Sequence, residues 1–193
     1  MHNEEITVID NFLPPDYFKR VQEFVLGPLF DWYYLEDLTF LVPRDAQTDD
    51  QSLKTFGYWH LFVRNGVWRK DAELLGEMFE MTAALRPEID EVVKSRADML
   101  TNNGPSRMLP PHTDSDDRHT ASIFYLADSD GETVLYNERY EGTGPTPETL
   151  TERTRVAPRA NRIVIFDGYY VHTGHSPGRN SRRVLINTNF SQK

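Results

Sequence analysis

LPPHTDSDDRHT, residues 109–120, places two histidines and three aspartates between positions 112 and 119, directly after a pair of prolines. In an extended strand side chains alternate faces, so residues i and i+2 point the same way. Read that way, His112 and Asp114 aim an imidazole and a carboxylate at one point. A nitrogen and an oxygen ligand converging suit a borderline divalent metal such as Fe(II), Mn, Co or Zn. The competing reading is a solvated acidic loop that happens to hold histidine, and these residues alone leave both open.

The surroundings favour strands. From about residue 96 the chain breaks into short β-type runs, RADML, TASIFYLA, ETVLYN, RTRVAP, NRIVIFDG, YYVHTG and RRVLINTNF, separated by Gly, Pro, Asn and Asp. Many short strands at close spacing predict a β-sandwich or barrel. Upstream, ITVIDNFL (6–13) reads as a short strand and PPDYFKRVQEFVLG as a helix stopped by Gly27. SLKTFGYWHLFVRNG (52–66) reads as a strand ending in an Asn-Gly turn, and residues 71–86 as a helix that Asp71 can cap. The fold class is therefore mainly β with supporting N-terminal helices, in a single domain spanning 1–193. Helical support covers 1–95 and the β core about 96–190. Segments 35–52 and 138–152 lack periodicity and are placed at the rim. Trp59, His60 and Trp68 read as core more than as pocket.

A third metal ligand must come from His119, His172, His175, His2 or His60, because the chain has no cysteine. His172 lies just past RIVIF and the turn DGYY, and the RIVIF strand is expected beside the one carrying His-x-Asp. His175 precedes Ser-Pro-Gly in the following loop, and His119 lies beyond DSDD, directed to solvent. Asp116 and Asp117 join that solvated turn. Two histidines and one carboxylate are the facial triad of non-haem Fe(II) oxygenases. Ten residues on, Arg182, Val184, Ile186 and Thr188 alternate onto one face of a last strand. An arginine among apolar neighbours is costly unless an anion pairs with it, and guanidinium binds carboxylate bidentately. A solvated basic edge made of Arg182 and Arg183 is the alternative.

Composition narrows the function classes. The formal charge of −9 disfavours a sequence-independent grip on nucleic acid, which needs a basic surface. No apolar run approaches the ~18 residues of a membrane span, so no membrane partner is expected. The N-terminus MHNEEITVID lacks the basic and apolar regions of a secretory signal, and the absence of cysteine fits a reducing cytoplasm.

The order His112-x-Asp114, His172, Arg182 resembles the 2-oxoglutarate/Fe(II)-dependent dioxygenase superfamily, and most of all its prolyl-4-hydroxylase-like branch of small phage and bacterial proteins. TASIFYLADSDGETVLYN, NRIVIFDGYYVHTG and RRVLINTNF carry the resemblance over roughly residues 96–190. It implies a double-stranded β-helix (jelly roll), with Fe(II) on His112, Asp114 and His172 and 2-oxoglutarate as cosubstrate. It further implies O2, ascorbate as a reductant, and hydroxylation of a C–H bond with release of succinate and CO2. By the same resemblance Arg182 binds the far carboxylate of 2-oxoglutarate with help from Tyr125, and Arg183 is its competitor in register. The family's frequent tyrosine before the metal motif is replaced by TNNG (101–104), so Asn102 or Asn103 substitutes for it or nothing does. Asp114 separates the chain from halogenases, which carry a small residue there. The implied substrate is prolyl/peptidyl or small and amino-acid-like. The alternative is a cupin-type jelly-roll metalloprotein of non-oxygenase chemistry, or a non-catalytic binding module on the same fold. Oligomeric state is left open.

Overall fold

The structure, a computed structural model, describes residues 6–36, 38, 56–140, 147 and 149–193. Most of the 35–52 rim segment, residues 141–146 and 148 of the second one, and the candidate ligand His2 lie outside the described residues. Strands β1 (Ile6–Ile9), β2 (Tyr33–Leu35), β3 (Gly57–Arg64), β4 (Val67–Trp68) and β5 (Ile89–Thr101) precede the metal motif. After it come β6 (His119–Tyr125), β7 (Thr133–Arg139), β8 (Glu152–Val156), β9 (Arg162–Asp167), β10 (Tyr170–Gly174) and β11 (Arg182–Gln192). Helices α1 (Pro15–Leu26) and α2 (Gly76–Leu85) complete the set, the latter preceded by a 3-10 turn, Lys70–Leu75.

Two antiparallel sheets result. The large one runs β1-β9-β6-β11-β5-β3-β2, with β4 on β3, and the small one runs β10-β7-β8. Strands of the first 95 residues thus enter the large sheet, and β5 begins at Ile89 rather than near 96. Helical support is only part of what that half contributes. Among the described residues, no helix is long and apolar enough to cross a membrane.

Both faces of the large sheet are covered, which explains apolar runs such as RIVIF where alternation would be expected of a one-sided sheet. Ile163, Ile165, Phe124, Val184 and Ile186 face Tyr17, Val21, Val25, Met78 and Phe79 of the helices. The alternate residues Val164, Phe166, Ile123, Tyr125 and Leu185 face Leu135, Val156 and Tyr170 of the small sheet. This double-sided sandwich is the jelly roll, with helices on its outer face. Phe124 meets Phe12 and Phe18 edge-on at 6.3 and 6.0 Å. Truncating such a buried ring to alanine costs about 3–5 kcal/mol.

Local chemistry sets the ends of several elements. Asn65 and Gly66, at φ 51° and 73°, make the two-residue turn that joins β3 to β4 in register Arg64↔Val67. Asp71 does not cap a helix: no side chain caps either the 3-10 turn or α2. Its Oδ2 instead lies 2.7 Å from Nε2 of buried His60, whose Nδ1 meets the Asp31 carbonyl at 2.7 Å. A buried imidazole gains more from two partners than a helix end exposed to water does from one. His60 is buried against Phe62 as expected, whereas Trp68, against Phe79, is 44% exposed and not part of the core; neither lines the cavity with the metal ligands.

Candidate active site and metal centre

Backbone pairing brings the two histidines together. His112 and His172 form an isolated antiparallel bridge, each amide donating to the other's carbonyl at 2.9 Å. His172 sits on β10 of the small sheet, so the segment carrying His-x-Asp lies beside β10. It does not lie beside RIVIF (β9), as its position in sequence suggests, because β9 pairs with β1 and β6. The motif is extended but makes only this one bridge, which is enough to direct His112 and Asp114 to the same side.

The triad is preorganised for a cation. Nδ1 of His112 donates to the Pro110 carbonyl at 2.9 Å, and Nδ1 of His172 to the Tyr170 carbonyl at 3.1 Å. That fixes the tautomer and leaves each Nε2 lone pair facing Asp114. Those Nε2 atoms lie 3.9 and 3.7 Å from the Asp114 oxygens. The spacings are too long for hydrogen bonds but less than twice a metal–ligand bond of about 2.1 Å. Burial, reinforced by His172, pushes the His112 imidazole down to about 4, and burial likewise lowers His172. Burial works to raise the Asp114 carboxyl, but His172, His112, Lys94 and Arg96 outweigh it and hold it below the usual range. Neutral imidazoles and an ionised carboxylate are the forms that bind metal.

Asp114 is itself held. Asn187 Nδ2 donates to Asp114 Oδ2 at 3.1 Å, and Asn189, with its amide nitrogen turned inward, donates to the same oxygen at 3.2 Å. Both asparagines belong to β11 and share the inward face with Leu185 and Arg183.

The parity of β11 corrects one expectation. Arg182 shares its face with Val184 and Ile186, which pack on the helices, and it is exposed at the strand's start. Arg183 is the inward residue, 5% exposed, and lines the cavity together with His112 and His172. A shift of one residue moves a side chain to the opposite face, so Arg183 and not Arg182 is the arginine that faces the cavity. Arg183 Nη2 donates to Thr133 Oγ1 at 2.7 Å, and its guanidinium lies 5.9 Å from the Tyr125 ring centroid. Its Nε is buried without a partner, and among the described residues no carboxylate forms an ion pair with it. Tyr125, fully buried, donates to the same Thr133 oxygen at 2.7 Å. With both lone pairs engaged, the Thr133 hydroxyl proton is left to donate into the cavity.

The cavity these groups share measures about 70 Å³ and is lined by Leu100, Leu109, Ile123, Thr133, Leu185 and Asn187, among others. That is roughly five to seven water-sized positions, a compact and mainly apolar slot with a few polar groups. Asn102 is not part of it: its amide donates to Asn180 O and accepts from Gly104 N in a surface turn. Nor is exposed Asn103. His175 bridges to Met108, outside the triad. His119, expected toward solvent, is 3% exposed, its Nδ1 on the Asp117 carbonyl and its ring against Gly168. Asp116 and Asp117 are exposed, as expected.

Three lining residues escaped the sequence reading. Thr133 carried no signal beyond its strand. Arg96 and Asp98 did, as two charges at i and i+2 in the β-type run RADML. Both face the cavity, with Arg96 Nε donating to Asp98 Oδ2 at 2.9 Å.

The donor set of two neutral imidazoles and one carboxylate fits Fe(II), and the buried, anion-free Arg183 fits a dicarboxylate. Comparisons agree. No curated protein matches the chain. A Burkholderia pseudomallei oxidoreductase described as of the 2OG-Fe(II) oxygenase family superposes with TM-score 0.64 at 12% identity, over 99% of this chain and 87% of that one. A Trichoplax adhaerens prolyl hydroxylase, in complex with a hypoxia inducible factor oxygen degradation domain peptide fragment, gives 0.62 at 15% identity over 98% and 84%. HygX from Streptomyces hygroscopicus, with nickel, 2-oxoglutarate and hygromycin B bound, gives 0.61 at 11% identity over 98% and 83%. At these identities the likenesses establish the jelly-roll fold. A family model described as the 2OG-Fe(II) oxygenase superfamily matches residues 99–191, which include His112, Asp114, His172 and Arg183, and this match supports a 2-oxoglutarate-dependent dioxygenase of that superfamily.

Proposed function

We propose that this chain hydroxylates an unactivated C–H bond of a prolyl, peptidyl or small amino-acid-like substrate: R–H + 2-oxoglutarate + O2 → R–OH + succinate + CO2. The observation that carries this reading is Arg183, a buried cation with no carboxylate ion pair among the described residues, lining the same cavity as His112 and His172 of the triad. A cupin-type metalloprotein has no use for such a group, and the cost of burying it would stand uncompensated.

His112, Asp114 and His172 would hold the Fe(II), which when bound supplies the redox chemistry that activates O2. Arg183 clamps the distal carboxylate of 2-oxoglutarate, and the Thr133 hydroxyl, oriented by Tyr125, donates to the same group. Asn187 and Asn189 keep Asp114 turned toward the two histidines. Leu100, Leu109, Ile123 and Leu185 exclude bulk water, which strengthens each of these contacts.

The test is succinate formation from 2-oxoglutarate under air with added Fe(II), alone and with a panel of peptides and free amino acids, product being read as a mass gain of one oxygen. Succinate that requires both Fe(II) and Asp114 supports the reading. Absence of succinate together with absence of 2-oxoglutarate binding refutes it.

A further inference from the structure

Arg96 and Asp98 form a cavity-lining ion pair that the reaction above does not use. Arg96 Nε meets Asp98 Oδ2 at 2.9 Å, yet among the described residues Arg96 Nη1 and Asp98 Oδ1 are both buried without a hydrogen-bond partner. The Arg96 side chain is 9% exposed and that of Asp98 13%. A bidentate pair through Nε and Nη2 would satisfy Asp98 Oδ1 and still leave Nη1 free, so the single contact leaves one strong acceptor and one strong donor directed elsewhere.

The pair's position in the sheet places these atoms beside the chemistry. On β5, Arg96 is opposite Asn187, the residue that holds Asp114, and Asp98 is opposite Leu185, one inward pair nearer Arg183. Cross-strand neighbours lie about 5 Å apart at Cβ. The pair therefore flanks the path between the metal ligands and the cosubstrate anchor.

The cosubstrate cannot satisfy it. 2-Oxoglutarate at neutral pH carries only acceptors, so it has nothing to donate to Asp98 Oδ1, and its negative charge is repelled there. The carboxylate of Asp98 calls for an N–H donor, best an ammonium, while Arg96 Nη1 calls for an acceptor, best a carboxylate. Lys94, next on the same strand face and half-buried, adds a second cation beside Arg96 and makes no ion pair among the described residues.

We infer that Arg96 and Asp98 bind the head group of the primary substrate, a free zwitterionic α-amino acid, the α-carboxylate at Arg96 Nη1 and the α-ammonium at Asp98 Oδ1. The opposite charges of an α-amino acid are only a few ångströms apart, matching two side chains held in contact through their other atoms. Its side chain would then project toward the metal. A peptide bond, lacking both charges, would leave the pair half-satisfied at a cost that disfavours it. This rests on the oxygenase reading and selects the free amino acid from the substrates that reading allows.

The test loads the protein with Fe(II) and 2-oxoglutarate without O2 and measures the thermal midpoint with each of the common L-amino acids and with its N-acetyl amide. Succinate release under air is then measured for the same compounds. At least one free amino acid should raise Tm by ~5 °C or more at saturation and stimulate succinate release at least about tenfold over its N-acetyl amide. Single substitutions strand a buried charge and can unfold the chain, so the variant is the double R96M/D98L, which replaces the pair with apolar side chains. It should keep or gain Tm on its own and lose the amino-acid shift. Equal response to N-acetyl amides, a shift surviving in R96M/D98L, or no response to any free amino acid overturns the inference while leaving the oxygenase reading intact. Failure of 2-oxoglutarate itself to raise Tm, with no succinate formed, overturns both.

Discussion

Replacing Arg183 by methionine separates binding from stability with opposite signs. In the free protein the guanidinium is buried, is hydrogen-bonded to Thr133 at 2.7 Å, and lacks any carboxylate ion pair among the described residues. An uncompensated buried charge is destabilising, and replacing such groups with apolar ones of similar volume is often neutral or stabilising by about 1–4 kcal/mol. The unliganded variant should therefore melt no lower than the wild type. With 2-oxoglutarate bound, the same guanidinium is the partner of a buried carboxylate, and deleting one member of such a pair costs about 2–5 kcal/mol. That is a loss of roughly 30- to 4,000-fold in affinity, at about tenfold per 1.4 kcal/mol. Differential scanning fluorimetry reads both effects. At a 2-oxoglutarate concentration ~100-fold above the wild-type Kd, the wild type gains about 2.7 kcal/mol, or ~5–11 °C for a chain of this length. R183M should gain less than about 0.9 kcal/mol at that concentration, or under ~4 °C, whereas R182M, altered at the exposed neighbour, should respond as the wild type does. If R182M loses the shift and R183M keeps it, the β11 register described above is wrong. If R183M melts well below the wild type without ligand, Arg183 is a structural group.

Alanine at Asp114 should abolish Fe(II)-dependent succinate formation, while alanine at exposed Asp117 leaves it within about twofold, since surface changes are usually worth under ~0.5 kcal/mol. A Cβ on Gly174 would sit 3.0 Å from Arg183 Nη1 and 3.3 Å from Nη2, so Gly174→Ala should raise the KM for 2-oxoglutarate by up to about tenfold without lowering Tm. An unchanged KM would show that the guanidinium is not seated against β10. In the metal-free chain, His112 titrates at about 4 instead of its ordinary 6.5. The unfolded chain then takes up the proton first, so stability falls as pH drops below 6.5. The penalty becomes complete below about 4, where the 2.5-unit difference amounts to about 3 kcal/mol. Comparing wild type with His112→Gln by denaturant titration across that window should show the wild type converging on, then dropping below, its acid-insensitive variant.

The metal pair and the sheet-rich core were legible because both depend on period-2 spacing, a local property that any extended segment must obey. His112-x-Asp114 needed only extended backbone. RIVIF and VLI needed only enough β-branched and aliphatic residues to be buried on both faces. Where only tertiary structure could decide, the reason was always which face of a strand met which neighbour. The sequence favours Arg182 as the anion partner over its neighbour Arg183, but the packing of Val184 and Ile186 on the helices turns Arg183 inward. Asp71 reads as a helix cap until His60, eleven residues earlier, is brought to its side by β3. Arg96 and Asp98 drew no reading from the sequence beyond their β-type run, and only the pairing of β5 with β11 places both on the cavity face. Parity along each strand is written in the sequence, but which parity faces the cavity is set by contacts between residues distant in sequence, and those exist only in the folded chain.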